Sequence, residues 1–395
     1  MASRAKTAVT SHIDYGLLIL IAALIGFGIV MQFSASYAID PQYPYKFITK
    51  HLMWIGLGLV SMYIMSAIDY RTWQTLAIPI MILSLGLLVA VLFLGEEGVG
   101  GARRHLFGGS IQPSEVAKLS IIIYIAAWLA SKGNKIGQVT MGLLPFSIIM
   151  GVFLVLILSQ PDVSTSVLIA ITALAMLMIA GADILQISIL FLVMSGVFAF
   201  AISQFPHARG RMAGFLQAFF KPWTSQQYQV RAGYAALQSG GLFGKGLTNS
   251  EYKLGLQLPL VHSDLIFAII GEELGLVGAL AVIAMFLFLA YKGTRIALDA
   301  QDDFGRLLAF GITTWIVVQA FINIAVVTVT IPNTGMPLPF FSYGGTSTLM
   351  ILTALGILLN ISKGGGGRLK LDANSLFRRR NRRSRISHSH RRSRA

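Results

Sequence analysis

ILQISILFLVMSGVFAFAISQ, residues 184–204, runs for 21 residues without a charged side chain. A helix rises about 1.5 Å per residue, and a hydrocarbon core roughly 30 Å thick needs about 20 mostly apolar residues to cross it. The stretch therefore predicts a membrane-spanning helix. From Leu185 to Val193 it lacks the alternation over about ten residues that a transmembrane strand shows, so a membrane barrel is set aside. Nine further runs of this kind lie along the chain, at 15–35, 51–68, 74–95, 114–131, 141–159, 163–181, 264–291, 306–330 and 346–362. Together they predict an all-α, polytopic integral membrane protein with about ten transmembrane helices.

Composition agrees. The 395 residues are 55% hydrophobic and 12% charged, with a mean hydropathy of +0.71, outside the range of ordinary soluble domains. The first run follows Arg4 and Lys6 but has no clear small-residue cleavage site, so it reads as a retained span. Lys and Arg favour cytoplasmic loops. An inside N-terminus puts Arg71, Lys132, Lys135, Lys292, Arg295 and Arg306 on that side together with the C-terminus. Three regions follow: a cytoplasmic N-terminus (1–14), a transmembrane domain (15–362) and a basic tail (363–395). The tail holds twelve of the 31 Lys and Arg and supplies most of the net charge of +15. Rich in Arg and Ser and without apolar periodicity, it is expected to be disordered and drawn to anionic lipid, at roughly 1 kcal/mol per basic residue near such a surface. No nucleic-acid partner is expected. With no cysteine and no HExxH spacing among seven histidines, the chain shows no metal-site motif.

Residues 205–263 form one long extracytoplasmic segment between the seventh and eighth spans. Long loops are functional or disordered, and this one carries Phe215, Phe219, Phe220, Trp223, Tyr228 and Tyr234, which suggests short amphipathic elements on the outer surface. It also breaks the charge bias with Arg209, Arg211, Lys221, Arg231, Lys245 and Lys253, and the preceding outer loop adds Arg103 and Arg104. These cations read either as anion ligands or as solvated charges on a long loop. The stretch SGGLFGKGL (239–247) fails the Walker spacing, leaving a phosphate cradle or a plain tight turn.

Ionisable groups inside spans are costly and mark function or an internal pair. Glu115 and Lys118, three apart, share a helix face and read as a structural bridge or as a cavity pair. Asp162, after Gln160-Pro161, reads as a helix cap or a site residue. Of Glu272 and Glu273, adjacent and about 100° apart around a helix, at least one should face protein or water. Asp264, where the long loop enters the eighth span, is either an N-terminal dipole partner or a general base tuned by an apolar helix and basic loops.

Six ordered stretches then match a known pattern: GARRHLFGGSIQPSEVAKLS (101–120), QPDVSTS (160–166), YQVRAGYAALQSGGLFGKGL (228–247), LPLVHSDLIFAIIGEELG (258–275), QAFINI (319–324) and TGMPLPFFSYGGTS (334–347). Through them the chain resembles the shape, elongation, division and sporulation (SEDS) family of bacterial peptidoglycan glycosyltransferases, the FtsW/RodA type, leaning to the division branch. The resemblance covers the chain to about residue 363.

That resemblance implies polymerisation of lipid II into glycan at the outer face of the bacterial cytoplasmic membrane, with undecaprenyl pyrophosphate leaving with inversion. Asp264, in the family's H-[ST]-D motif, would be the catalytic base. Arg103, Arg104, Arg211, Lys245 and His262 would lie nearest the pyrophosphates. Glu115 and Lys118 match a buried cavity pair, Asp162 the Q-P-D aspartate, and Ser342, Tyr343, Gly344 and Gly345 an S-Y-G-G turn. The implied partners are lipid II and undecaprenyl-linked glycan, a class B penicillin-binding protein as transpeptidase, other divisome or elongasome membrane proteins, and membrane lipids. No cofactor is fixed; a divalent cation, Mg²⁺ or Mn²⁺, would suit the pyrophosphates, although no dedicated cage of ligands is present. The chain departs from the family at Leu260, where a Glu is usual, and in VVTVTIPNTG, which lacks a usual glycine after the apolar run. A lipid II flippase and a non-catalytic scaffold are the competing readings.

Overall fold

Each expected apolar run is a helix. The computed structural model describes residues 13–37, 45–97, 103–106, 111–220, 228–254 and 264–364. Along them run α1 (Tyr15–Tyr37), α2 (Lys46–Ala67), α3 (Arg71–Thr75), α4 (Ala77–Leu94), α5 (Pro113–Lys132), α6 (Leu144–Leu158), α7 (Val163–Ile179) and α8 (Ile184–Gln204). The long loop contributes α9 (Pro206–Phe220), α10 (Tyr228–Ser239) and α11 (Glu251–Leu254), before α12 (Ile266–Asp299), α13 (Asp303–Val327) and α14 (Gly345–Gly364). A short antiparallel pair, β1 (Glu96–Glu97) and β2 (Arg103–His105), joins α4 to α5. Basic tail residues 365–395, most of the N-terminal segment and Leu260 lie outside the described residues.

Eight helices, α1, α2, α4, α5, α8, α12, α13 and α14, are long and apolar enough to cross a membrane. The other two sit where the fifth and sixth spans were expected but are shorter, α6 with 15 residues and α7 with 17. A π-helical turn, Val139–Leu143, leads into α6. The centre of the bundle is α5, α13 and α14, whose apolar windows are 67%, 61% and 67% buried, against 22% for α4 and α8. The last two therefore present most of their Leu, Ile, Val and Phe outward, as a lipid-facing rim requires.

Hydrogen bonds separate the bundle into two ends. At one, the Asp14 carboxylate takes the Lys292 ammonium at 3.0 Å, and Asp14 N donates to Ser362 Oγ at 3.4 Å. There too Tyr70 Oη and Arg71 Nε donate to Asp302 Oδ2 at 2.8 and 3.0 Å, and Tyr70 N donates to Asn360 Oδ1 at 2.9 Å. The start of α1 and the end of α14 thus share one face. The opposite end gathers the β pair, the α6–α7 turn, the long-loop helices, the start of α12 and the irregular run 328–344.

The second half of that run is largely buried, with Met336, Leu338, Phe340, Phe341 and Ser342 all at 5% exposure or less. A buried non-helical backbone must find partners for its peptide groups. It finds them on side chains: Ser164 Oγ donates to Thr334 O (2.6 Å), Asn323 Nδ2 to Met336 O (2.8 Å) and Gln319 Nε2 to Pro337 O (3.1 Å), while Leu338 N donates to Ser342 Oγ (2.8 Å).

The eighth span, read as one helix, is broken. Gly275 has φ 68° and ψ −163°. A continuous helix would bond Leu276 N to Glu272 O and Val277 N to Glu273 O. Both rungs are split by the glycine-rich loop: Leu276 N and Val277 N donate to Gly241 O and Leu242 O at 2.9 and 3.2 Å, while Lys245 N and Gly246 N donate to Glu272 O and Glu273 O at 2.9 and 3.0 Å. A side chain at Gly275 would collide with Gly244 N and Leu242 O. The amides of Lys245 and Gly246 are thereby consumed, so this stretch is a structural insert into a helix ladder, not an open phosphate cradle.

Candidate functional site

At the long-loop end of the bundle, the carboxylate of Asp264 stands immediately before α12. A Cβ placed on Gly335 would lie 3.4 Å from Asp264 Oδ2 and 3.9 Å from Arg211 Nη2, so the two side chains converge over this glycine, whose φ is 68°. Arg211 comes from α9 and donates to Thr334 O at 3.3 Å. Partial withdrawal of its head group from water, then the like charge of Arg104, hold its pKa below the ordinary arginine value, while Asp264 and then Asp162 act the other way. Two guanidiniums and two carboxylates thus share one field.

Arg104, on β2, donates from Nε to Gln160 O at 3.0 Å and from Nη2 to Pro161 O. Those carbonyls follow the C-terminus of α6, where a cation is favoured. Next to them Asp162 caps α7, accepting from Thr165 N at 3.1 Å, and Ser114 Oγ donates to its other oxygen at 3.5 Å. The cap reading of Asp162 is therefore realised, and the charge of the same side chain is felt by Arg211. His105 shares this corner; burial, then the Arg104 charge, lowers its pKa below 6.5 against the pull of Asp162 and Glu96.

Further into the bundle Lys118 Nζ meets Glu115 Oε1 at 2.7 Å, with both side chains buried. Lys118 also donates to Gln319 Oε1 at 3.2 Å and lies 5.5 Å from the centre of the Trp315 ring. It borders a small cavity of about 10 Å³, room for about one water, lined by Ile121, Thr172, Met176 and Trp315 among others. Glu115 Oε2 is buried with no hydrogen-bond partner among the described residues. In the S-Y-G-G turn, Ser342 Oγ takes Leu338 N, the Tyr343 ring packs edge-on to Phe47 at 5.9 Å, and Gly345 is bare where a Cβ would press on Trp54; Gly344 has looser surroundings.

Lys245 is engaged elsewhere. Its ammonium pairs with Glu251 at 3.0 Å and Glu272 at 3.5 Å. Burial alone would lower its pKa, but the Glu251 hydrogen bond and the two carboxylate charges outweigh that and leave it raised. Glu272, fully buried, also takes Glu251 N at 2.9 Å and the Ser250 hydroxyl. Glu273, equally buried, takes Ser34 Oγ of α1 at 2.6 and 2.8 Å. Both glutamates face protein. His262 and the Arg103 side chain lie outside what the structure describes.

Sequence reading left Gln319, Asn323, Ser164 and Ser250 without roles. For the first two a signal existed: two amide side chains one turn apart on an otherwise apolar helix.

The fold and its polar end define a class: a polytopic helical membrane protein with a carboxylate–guanidinium site at one end of the bundle, roofed by loop helices. The chain belongs to the FtsW/RodA/SpoVE family, described as "Cell cycle protein", which it matches over residues 15–365. Its relatives include the probable peptidoglycan glycosyltransferases FtsW of Trichlorobacter lovleyi (39% identical, covering 89% of this chain and 93% of that one) and Geobacter sulfurreducens (37%, covering 88% and 95%). Stage V sporulation protein E of Bacillus subtilis is 37% identical, covering 89% and 97%. Among solved structures, a chain from a peptidoglycan synthase complex that coordinates polymerization and crosslinking superposes with a TM-score of 0.72 at 25% identity, covering 89% of this chain and 97% of that one. The Thermus thermophilus rod shape determining protein RodA gives 0.66 at 26%, covering 89% and 97%.

Proposed function

We propose that the chain is a peptidoglycan glycosyltransferase that polymerises lipid II at the extracytoplasmic face of the bacterial cytoplasmic membrane, with Asp264 as general base. The observation that carries this reading is the meeting of Asp264 with Arg211 over Gly335, in the shared field of Arg104 and Asp162. Identity of 37–39% over most of the chain to proteins named peptidoglycan glycosyltransferase supports the reaction class.

In this reaction the 4-hydroxyl of the acceptor's N-acetylglucosamine gives its proton to the Asp264 carboxylate. Its oxygen attacks the anomeric carbon of the donor's N-acetylmuramic acid. The bond from that carbon to the pyrophosphate oxygen breaks, the configuration inverts, and undecaprenyl pyrophosphate departs with the electron pair. The guanidiniums of Arg211 and Arg104 meet the charge that develops on the leaving group, where preorganised electrostatics acts most strongly. Lys245, held by Glu251 and Glu272, supports the loop that braces α12. Among the described residues no three carboxylate or imidazole groups cluster as a metal cage.

The names FtsW and stage V sporulation protein E among the relatives favour a division or sporulation setting. Likeness to a synthase complex that couples polymerization to crosslinking supports a transpeptidase partner of the class B penicillin-binding type. The test is a lipid II polymerisation assay on the purified chain, with and without that partner. Wild type should form glycan and Asp264→Asn should form none; polymer from Asp264→Asn, or lipid II translocation without polymer from wild type, overturns the reading.

A further inference from the structure

We infer that Asn323, with Gln319 one turn before it, is a positioning residue for Asp264; this rests on the proposed role of Asp264 as base. Both amides lie on one face of α13, Asn323 at 1% and Gln319 at 0% exposure. The Asn323 Nδ2 group donates two hydrogen bonds, to Asp264 O and to Met336 O, each at 2.8 Å. Gln319 holds the adjoining carbonyl, Pro337 O, at 3.1 Å, while its Oε1 accepts from Trp315 Nε1 at 3.0 Å and Lys118 Nζ at 3.2 Å.

This places Asn323 between the two backbone segments that carry the site. One ends in the base. The other holds Gly335, over which base and guanidinium meet, and Thr334, whose carbonyl anchors Arg211. Ala268 N, the amide four residues beyond Asp264, donates to Leu265 O at 2.9 Å. The Asn323 amide is not ambiguous in orientation. Turned over, its oxygen would face two carbonyl oxygens, and as it stands Oδ1 is buried with no hydrogen-bond partner among the described residues. A buried acceptor without a partner is a desolvation cost, and what stands against it here is the pair of donated bonds. Reacting groups must be held to within about 0.5 Å, and a shift of about 1 Å can cost roughly 10²-fold in rate.

Lipid II polymerisation by the full-length chain in vesicles, with thermal melts of each variant, tests this. Asn323→Ala should lower kcat by about 10- to 100-fold with KM changed by less than about 2-fold. Asn323→Ser, which keeps one donor, should fall between it and wild type. In an Asp264→Glu background, where the carboxylate is already displaced, the loss from Asn323→Ala should shrink well below its value in wild type, because residues acting through one another are not additive. An unchanged kcat in folded Asn323→Ala overturns the inference alone. So does an equal loss in both backgrounds, or loss of folded protein in both Asn323 variants, which marks Asn323 as structural only. No polymer from wild type removes the proposed function and this inference with it.

Discussion

At the scale of single residues, Arg211 is a cation placed against Asp264, and Arg211→Ala should lower kcat by about 10²-fold, by analogy with losing one preorganised donor; steady-state polymerisation rates check it. Local partners are legible in the sequence: the Glu115–Lys118 pair and the Asp162 cap follow from spacings of three and from a Pro-Asp preceding an apolar run. Distant ones are not, as with Lys245, whose second carboxylate, Glu272, lies 27 positions away. His105 gives a pH prediction. Because burial and Arg104 hold its folded pKa below 6.5, the unfolded chain takes up the proton first on acidification. Stability should therefore fall from about pH 6.5 down to the folded pKa and then level off, and His105→Gln should flatten that part of a melting-temperature profile. Val329 keeps a left-handed backbone, φ 58°, at a cost of about 1–2 kcal/mol, offset by burying Val329 with Ala218 and Tyr234.

At the scale of elements, hydropathy located the apolar helices because a long apolar run is readable without reference to its neighbours, and eight of them are long enough to cross a membrane. The residues 184–204 became α8 with the expected bounds. The break in α12 was not readable, since what replaces its hydrogen bonds comes from a loop about 30 positions upstream. The same holds for 328–344, whose peptide groups are satisfied by side chains of α7 and α13. Gly275→Ala should cost about 1–3 kcal/mol from its positive φ and from collision with the inserted loop. Amide exchange should quicken at Leu276 and Val277 more than at the middle of α13. Glu272→Ala should strip acceptors from Ser250 and from the Glu251 amide, at about 1–3 kcal/mol for each buried donor left unpaired, and a thermal melt in detergent measures it.

At the scale of the whole molecule, both described chain ends lie on one face of the bundle and the candidate site on the other. Deleting residues 366–395 should leave the melting temperature and the rate of polymerisation in neutral detergent unchanged while weakening adsorption to anionic vesicles, read by flotation in low and high salt. The interrupted ladder of α12 adds a property of a different kind. In an unbroken helix a twist anywhere is carried to its tip, and inserting one residue rotates everything beyond it by about 100°. Here the same loop bonds both sides of the break, Glu272 O and Glu273 O before Gly275 and Leu276 N and Val277 N after it. The two halves are thus hinged through 241–246, and a turn of one half reaches the other through that loop instead of through a continuous ladder.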